Sequence, residues 1–371
     1  MTTKTIGFDA RSALHPQAGK GRYTLEVVKA ALNQGENVVV VLFTDSAPLF
    51  PDNTDPHLRQ VILRGKSIFW HINLYFYLRA HPVDFFLAPT SYIYPAIAPA
   101  SQKVAIVVHD LITFLHPAGH PVFPTLVERL TLPRAIKKAA QIFCVSENTK
   151  KDLLHLFPSA ALPRAKKKIA IAYPAVSEEF HAVSTRKMSL PDNFILAVGT
   201  LPRKNVDNLI KAFLSVNLST RASTCVSTLH LCVVGKPPVP ACPALAVRHE
   251  QKNIHFLGQV NSAELRELYS RARMLVFPSL YEGFGMPPLE AMACGCPVIV
   301  SNTSSLPEVV GEAAIKVDPR SPAQIASAIK KLLVPATRKS YQAEGLAQAK
   351  KFSWEKTVKT ILETLQVTIP S

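Results

Sequence analysis

Several features that would declare a chemistry outright are missing from this chain. Its six cysteines (Cys144, Cys225, Cys232, Cys242, Cys294 and Cys296) form no C-x2-C pair. That removes zinc-ribbon and thioredoxin-like sites and leaves small buried thiols in a reducing compartment as their reading. No Asp-x-Asp pair occurs that would hold a divalent cation against substrate phosphates. No uninterrupted apolar run reaches the length of a membrane span, because Lys103 and His109-Asp110 break the best candidate region. The first residues, Met-Thr-Thr-Lys-Thr-Ile-Gly-Phe-Asp, have no signal-peptide core, so the expected location is the cytoplasm. Internal repeats and coiled-coil heptads are absent as well. Lys20 is followed by Gly21 and lacks the upstream glycine of a P-loop.

Acidic residues are scarce: 26 Asp and Glu face 42 Lys and Arg, a net charge of +16. No RRM-like, KH-like or zinc-finger pattern accompanies this excess, which argues against a nucleic-acid partner. Clusters at Lys137-Lys138, Lys150-Lys151 and Arg164 to Lys168 suit peripheral contact with an anionic membrane surface, at the inner face of a plasma membrane. Solvated faces around a site for an anionic ligand explain the charge equally well, and both readings stay open.

What is present is a regular α/β pattern. A chain of 371 residues with 48% hydrophobic residues has material for two cores. Short apolar runs read as buried strands at Ile6–Asp9, Val38–Phe43, Phe85–Leu87, Val104–Val108, Ile142–Val145 and Ile169–Ile171. Amphipathic stretches such as Tyr23–Asn33, Thr125–Ala140 and Glu147–Leu156 lie between them, with Ser146 placed to cap the last. The pattern starts again after residue 190, with strands at Phe194–Val198, Leu229–Val234, Ile254–Phe256, Met274–Phe277, Pro297–Val300 and Ala314–Val317. Two such series predict two doubly wound α/β domains joined by the polar stretch Ser177 to Pro191. The stretch Ser219 to Arg248, rich in Ser, Thr and Pro, reads as a variable loop around one strand. Between Ser67 and Leu87 stand Phe69, Trp70, Tyr75, Phe76, Tyr77, Phe85 and Phe86. Aromatics at helical spacing read first as core, and a membrane-facing surface is the alternative.

The segment Phe277 to Ile299 carries the most chemistry. Glu282 and Glu290 flank a Gly-Phe-Gly turn that leads into a helix. Pro287 and Pro288 suit its first positions, where a missing N–H is harmless, and Gly295 suits its C′ position. Gly283 and Gly285 let backbone approach a ligand, and the free N–H groups of the helix start make an anion site. A diphosphate over that start would have one carboxylate near each end, the layout of a hexose–diphosphate–ribose ligand. An ordinary strand–turn–helix junction with two solvated acids is the plain alternative. Arg203 and Lys204 stand where another strand gives way to a helix, next to Gly199, ready to neutralise phosphate charge. His109-Asp110 closes the strand Val104–Val108, where a structural and a catalytic histidine are alternatives.

The string Leu280-Tyr-Glu-Gly-Phe-Gly-Met-Pro-Pro-Leu-Glu290, with its flanks over more than twenty residues, resembles the donor-site signature of retaining GT-B glycosyltransferases of the group 1 family (glycosyltransferase family 4). Pro202-Arg-Lys-Asn205 resembles the family's donor loop, and Asp9-Ala-Arg11 with Ala18-Gly-Lys-Gly-Arg-Tyr23 its first βα loop, although Ala18 and Lys20 depart from the Gly-Gly-Ile-Gly form. The resemblance implies a GT-B fold: two doubly wound Rossmann-like domains facing a central cleft. It implies an acceptor-side domain over 1–182, a nucleotide-sugar domain over 191–350 and a C-terminal helix over 351–371 returning to the first domain. Glu290 is then assigned to the ribose and Glu282 to the transferred hexose. Gly283, Phe284, Gly285, Met286 and Leu289 line the sugar and phosphates. Arg203 and Lys204 hold the diphosphate in place of a metal ion, with Gly199 beside them. His109 contacts the sugar, Asp110 orients the loop or the acceptor, and the backbone at Gly19 and Gly21 approaches the diphosphate. The implied reaction transfers a hexose with retention from a nucleotide-diphosphate sugar to a glycan or lipid-linked glycan, without metal or cofactor. The string looks most like bacterial mannosyl- and rhamnosyltransferases of surface polysaccharide assembly, which favours GDP-mannose. A GT-B nucleotide-sugar epimerase and an inactive sugar-nucleotide-binding scaffold are the alternatives.

Overall fold

Fully buried parallel strands need apolar side chains on both faces, and the runs of Val, Ile, Leu and Phe in this chain supply them twice. The computed structural model describes residues 3–16, 19–34, 38–117, 121–158, 169–220, 228–236 and 253–366. The chain forms two units, Met1–Pro174 with Ser353–Ser371, and Ala175–Phe352.

The first domain is built on seven strands: β1 (Lys4–Asp9), β2 (Val38–Thr44), β3 (Leu58–Ile62), β4 (Phe85–Ala88), β5 (Val104–Val108), β6 (Gln141–Cys144) and β7 (Ile169–Ile171). All pair in parallel in the order β3-β2-β1-β4-β5-β6-β7, so strand order reverses between β1 and β4. Every residue of β5 is buried. β3 has no counterpart among the sequence-predicted strands. It is an edge strand, half polar, with Arg59 and Ile62 exposed, so it lacks the continuous apolar run that marks the others. The helix predicted from Tyr23 begins earlier, at Gly19, and runs to Leu32. Ser146 accepts a hydrogen bond from Thr149 N at 3.0 Å and caps Glu147–Leu156 as expected.

The aromatic stretch splits along the helix Ile68–Ala80. Trp70, His71, Leu74 and Leu78 face the core, and Trp70 Nε1 donates to Thr44 O at 3.0 Å. Phe69 and Phe76 stand on the other side, 67% and 62% exposed. The core reading therefore holds for Trp70, while Phe69 and Phe76 lie on the exposed side of the helix. The C-terminal helix Trp354–Thr364 belongs to the first domain. It buries Val358, Ile361 and Leu362, and Trp354 meets Tyr23 edge-on at 5.5 Å.

The second domain has six strands: β8 (Phe194–Val198), β9 (His230–Val234), β10 (Ile254–Gly258), β11 (Met274–Phe277), β12 (Val298–Ser301) and β13 (Ile315–Val317). They are parallel in the order β10-β9-β8-β11-β12-β13, and the reversal lies between β8 and β11. Cys144, Cys232, Cys294 and Cys296 are buried free thiols. Cys225, Cys242, Arg164 to Lys168 and most of the predicted variable loop lie outside the described residues.

The first unit ends at Pro174, not at residue 182, and the stretch Ser177 to Pro191 is bound to the second domain. Phe180 packs against Tyr269 at 6.1 Å, and Arg266 Nη1 donates to Glu179 O at 2.9 Å. Lys187 N and Met188 N donate to the two carboxylate oxygens of Glu267, each at 3.0 Å, while Arg271 Nη1 reaches Oε1 at 2.7 Å. Glu267 is buried, yet burial is outweighed by these donors, which hold its carboxyl below the ordinary range. Composition marked this strap only as a polar connector, because its anchor stands some eighty residues away on the helix Ser262–Arg271. Glu267→Ala removes the acid that pairs with Arg271 and strands two backbone donors, and should lower the stability of the second domain by about 3 kcal/mol. A shifted urea midpoint, with faster hydrogen exchange at the Lys187 and Met188 amides, would show it; unchanged exchange would refute the anchoring role.

Candidate active site

In the second domain the loops after β8 and β11 meet where strand order reverses, the position at which open α/β sheets bind ligands. After β8 the chain makes a tight turn at Pro202–Lys204 and enters the helix Val206–Thr220. Asn205 sits between them at φ 56°, a left-handed conformation that Asn tolerates. Its side chain explains the residue choice: Nδ2 donates to Pro278 O at 3.1 Å and Pro319 O at 2.6 Å. Leu280 N donates to Arg203 O at 2.8 Å, closing the two loops on each other.

That stitching aims two cations at one carboxylate. Lys204 Nζ lies 2.6 Å from Glu282 Oε1, and Arg203 Nη1 lies 2.8 Å from the same atom and 3.3 Å from Tyr281 O. Lys204 Nζ also stands 4.4 Å from the centroid of the Phe277 ring. Gly199, at φ 91°, leaves room for the lysine stem; a Cβ there would lie 3.1 Å from Lys204 Cγ and Cε. Glu282 is 8% exposed. Burial raises its carboxyl, but Lys204 and Arg203 together outweigh burial and hold it below the ordinary carboxylate range. Burial draws the Lys204 amine downward, Glu282 opposes, and Arg203 adds to the depression. The cluster therefore holds two positive groups on one ionised acid.

The helix Met286–Ala293 begins four residues after Glu282. Gly285 caps it at φ 117°, a conformation open to glycine, and any Cβ would meet Leu306 Cδ2 at 2.6 Å. Pro287 and Pro288 fall in its first turn, and Gly295 follows it at φ 73°, as the sequence predicts. Phe284 is buried and meets Phe352 edge-on at 5.6 Å. Leu289, expected beside the donor, has no exposed surface and packs in the core. Glu290 is buried on the same helix and accepts from Tyr269 Oη at 3.1 Å.

Three partners of this site escaped the sequence reading. Ser304 Oγ accepts from Glu282 N at 3.0 Å and donates to Glu282 O at 2.6 Å. Ser305 Oγ lies 3.0 Å from Glu282 O and 2.6 Å from Phe284 O, so these hydroxyls fix the Gly283 turn. Tyr269 is the third. The run Ser301-Asn-Thr-Ser-Ser305 directly after a buried strand was the available signal for the serines; Tyr269 left none.

The remaining predicted residues belong to the first domain. His109 Nε2 lies 2.7 Å from Pro89 O, and a carbonyl only accepts, so this nitrogen carries the hydrogen. Tyr23 meets the ring edge-on at 4.8 Å. Burial, assisted by Lys20 and opposed by Pro89 and Asp110, lowers the imidazole pKa to about 4. His109 is thus a neutral donor–acceptor ring. Asp110 Oδ1 accepts from Ile112 N at 3.2 Å and supports the turn into the short helix Ile112–Leu115. Gly19 and Gly21 sit in the first turn of a helix, not in an open loop. A Cβ at Gly21 would lie 2.3 Å from His15 O and 2.5 Å from Ser12 O, so this glycine admits the chain's own backbone; Gly19 faces open space.

The His109 environment sets a pH dependence. Between about 6.5 and about 4 the unfolded chain binds a proton that the folded chain refuses, so stability is full above pH 6.5 and falls toward pH 4. The whole window corresponds to at most about 3 kcal/mol. Thermal melts should drop between pH 7.5 and 5, and His109→Asn should shrink that drop; an equal drop in the variant would count against a buried neutral ring.

Residues 192–334 match the family profile described as Glycosyl transferases group 1, and residues 18–180 match that of Glycosyltransferase Family 4. The O-antigen chain mannosyltransferase B of Escherichia coli is 30% identical over 380 residues, 96% of this chain and 98% of that protein. Sucrose-phosphate synthase from Thermosynechococcus elongatus superposes with a TM-score of 0.73 at 19% identity over 98% of each chain. WaaG, a glycosyltransferase involved in lipopolysaccharide biosynthesis, does so with a TM-score of 0.69 at 17% identity over 98% of this chain and 99% of that one. At such identities the structures speak for the GT-B fold alone, whereas the whole-length relative carries the activity class. Two parallel-sheet domains with this loop signature, matched from residue 18 onward, make the chain a glycosyltransferase of the group 1 family, glycosyltransferase family 4.

Proposed function

We propose that this glycosyltransferase is retaining and metal-independent, and that it moves mannose from GDP-mannose to a glycan or lipid-linked glycan. The observation that carries the reading is the convergence of Arg203 and Lys204 on Glu282, next to the start of the helix Met286–Ala293. Negative charge grows on the leaving diphosphate as the sugar–phosphate bond breaks. Two cations and a helix N-terminus stabilise that charge most where it is largest, in the transition state. Arg203 and Lys204 supply the positive charge that a divalent ion supplies elsewhere.

Glu282 is the counterion of both cations. When phosphates take over Arg203 and Lys204, the carboxylate becomes available to hydroxyls of the hexose. An acid held ionised by two cations is a poor nucleophile, which favours same-face attack by the acceptor over a glycosyl-enzyme intermediate. Glu290, with Tyr269 on one oxygen, is assigned to the ribose. Backbone N–H groups from Gly283 to Met286 serve the sugar and phosphates. His109 and Asp110 remain assigned to the sugar and the acceptor. Mannose is favoured because the whole-length relative is an O-antigen mannosyltransferase.

Peripheral contact with an anionic bilayer belongs to the same proposal. No helix among the described residues is long and apolar enough to cross a membrane. The first domain nevertheless exposes Ile68, Phe69 and Phe76 on one helix, Val122, Phe123 and Leu126 on another, and Ile97 on the short helix packed against both. Lys66, Arg79, Arg134, Lys137 and Lys138 are exposed on or beside the same helices, which pairs apolar insertion with charge attraction.

Thermal melts with GDP-, UDP-, ADP- and dTDP-sugars, with and without EDTA, test the donor. GDP-mannose at 100 times its dissociation constant should stabilise by about 2.7 kcal/mol, unchanged by EDTA. Stabilisation by a different nucleotide would overturn the donor, and sensitivity to EDTA would overturn metal independence. Lys204→Ala should lower kcat by about 100-fold while donor affinity changes far less, and NMR of the first product should show the α-anomer. For the membrane, Phe69→Asp with Phe123→Asp should abolish sedimentation with anionic vesicles and leave transfer to a soluble acceptor intact.

A further inference from the structure

The first domain holds a second group of polar side chains that the donor chemistry leaves unused. It stands at the carboxyl ends of β1 and β4, where strand order reverses in that sheet. Asp9, the last residue of β1, is 2% exposed and takes Arg11 in a fork: Nε to Oδ1 at 2.9 Å and Nη2 to Oδ2 at 2.7 Å. Arg11 Cζ lies 3.6 Å from the centroid of the buried Trp70 ring. His71 Nε2 lies 3.2 Å from Arg11 Nη2. A guanidinium only donates, so Nε2 is the unprotonated nitrogen of His71. Burial, followed by Arg11, keeps that ring neutral, with its pKa lowered to about 4. Ser91, in the loop after β4, approaches the same Nε2 at 3.4 Å.

Acid, indole and imidazole thus grip the guanidinium on three sides. Its Nε and Nη2 hydrogens are committed, but among the described residues Nη1 has no partner, and 19% of the side chain is exposed. The open edge offers two directed N–H donors whose orientation is already fixed, so little entropy is lost when a ligand arrives. Asp9 cancels the charge. An edge with direction and no net charge suits neighbouring hydroxyls of a neutral sugar better than a phosphate, which the Asp9 carboxylate repels.

The position fits as well. β1, β4 and β5 are adjacent, so two strand spacings, about 10 Å, separate the end of β1 from that of β5. His109 follows β5, and one loop joins both centres: its Pro89 O pairs with His109 and its Ser91 with His71. We propose that the Nη1 edge of Arg11 binds neighbouring hydroxyls of the acceptor's terminal sugar, with Asp9, Trp70 and His71 as positioning residues. The assignment rests on the glycan acceptor proposed above.

Saturation-transfer NMR with methyl glycosides of mannose, glucose, galactose, rhamnose and N-acetylglucosamine, and with mannose 6-phosphate, tests it on the whole protein. The wild type should bind at least one neutral glycoside, and Arg11→Lys, which keeps the charge and loses the fork, should weaken that binding about tenfold or more. His71→Leu should do the same, whereas His71→Gln, whose Oε1 replaces the accepting nitrogen, should retain most of it. In transfer assays both weakened variants should raise acceptor KM and leave donor KM unchanged. No glycoside binding by the wild type, equal binding by Arg11→Lys, or tighter binding of mannose 6-phosphate than of every neutral glycoside would overturn the proposal. Melts with nucleotide sugars show separately that each variant is folded. They also isolate a failure of the donor reading, because the glycoside titration needs no donor.

Discussion

One buried carboxylate organises the second domain. Glu282 Oε1 lies within 3 Å of both Lys204 Nζ and Arg203 Nη1, and each cation reaches it from a turn separated from it by most of a β/α series. Taking these charges out of water is expensive, and only mutual pairing with hydrogen bonds to the surrounding backbone offsets it. The neighbouring structure reads as the means of that pairing. Asn205 ties the loop after β8 to Pro278 and Pro319, Gly199 makes room for the lysine stem, and Ser304 and Ser305 hold the backbone at Glu282 and Phe284. The result is a trio with one positive charge in excess, its acid four residues before the start of the helix Met286–Ala293.

The two sheets use the same topological position for opposite electrostatics. Where order reverses in the second sheet, the side chains leave a net cation; in the first, Arg11 is neutralised by Asp9, and His71 and His109 are held uncharged by burial. A diphosphate and a sugar hydroxyl ask for these different surfaces. Neither could be built inside the sheets, whose central strands are apolar on both faces. Polar chemistry is confined to strand ends because only there can a side chain leave the core and still be held by it.

A second division runs over the outside of the first domain. The helix Ile68–Ala80 sends Trp70, Leu74 and Leu78 inward and leaves Phe69 and Phe76 in solvent, and Val122 and Phe123 repeat the pattern on another helix. One face supports the Arg11 centre through Trp70 and His71. The other adds apolar area amid basic residues, so a single helix serves both the fold and a surface.

Much of this was readable in the linear chain. Buried strands announced themselves as unbroken apolar runs, and the starts and ends of helices followed from Ser146, Pro287, Pro288 and Gly295, because capping is settled within a few residues. The cations of Pro202–Lys204 and the acid at 282 were legible as charged residues at strand ends. Their partnership was not, for 78 residues separate Lys204 from Glu282 and only the adjacency of β8 and β11 brings them together. The same reason hid Tyr269 behind Glu290, Glu267 beneath the strap at 187–188, and the grip of Trp70 and His71 on Arg11. β3 escaped because an edge strand needs no continuous apolar run, and the close approach of Gly21 to His15 and Ser12 escaped because a glycine admits its own backbone as readily as a ligand. Local hydrogen bonding and periodicity determined which elements form and where charge collects. Tertiary structure decided which distant groups meet, as strand order did for Lys204 and Glu282, since side chains far apart in sequence pair only after the fold has set their distance.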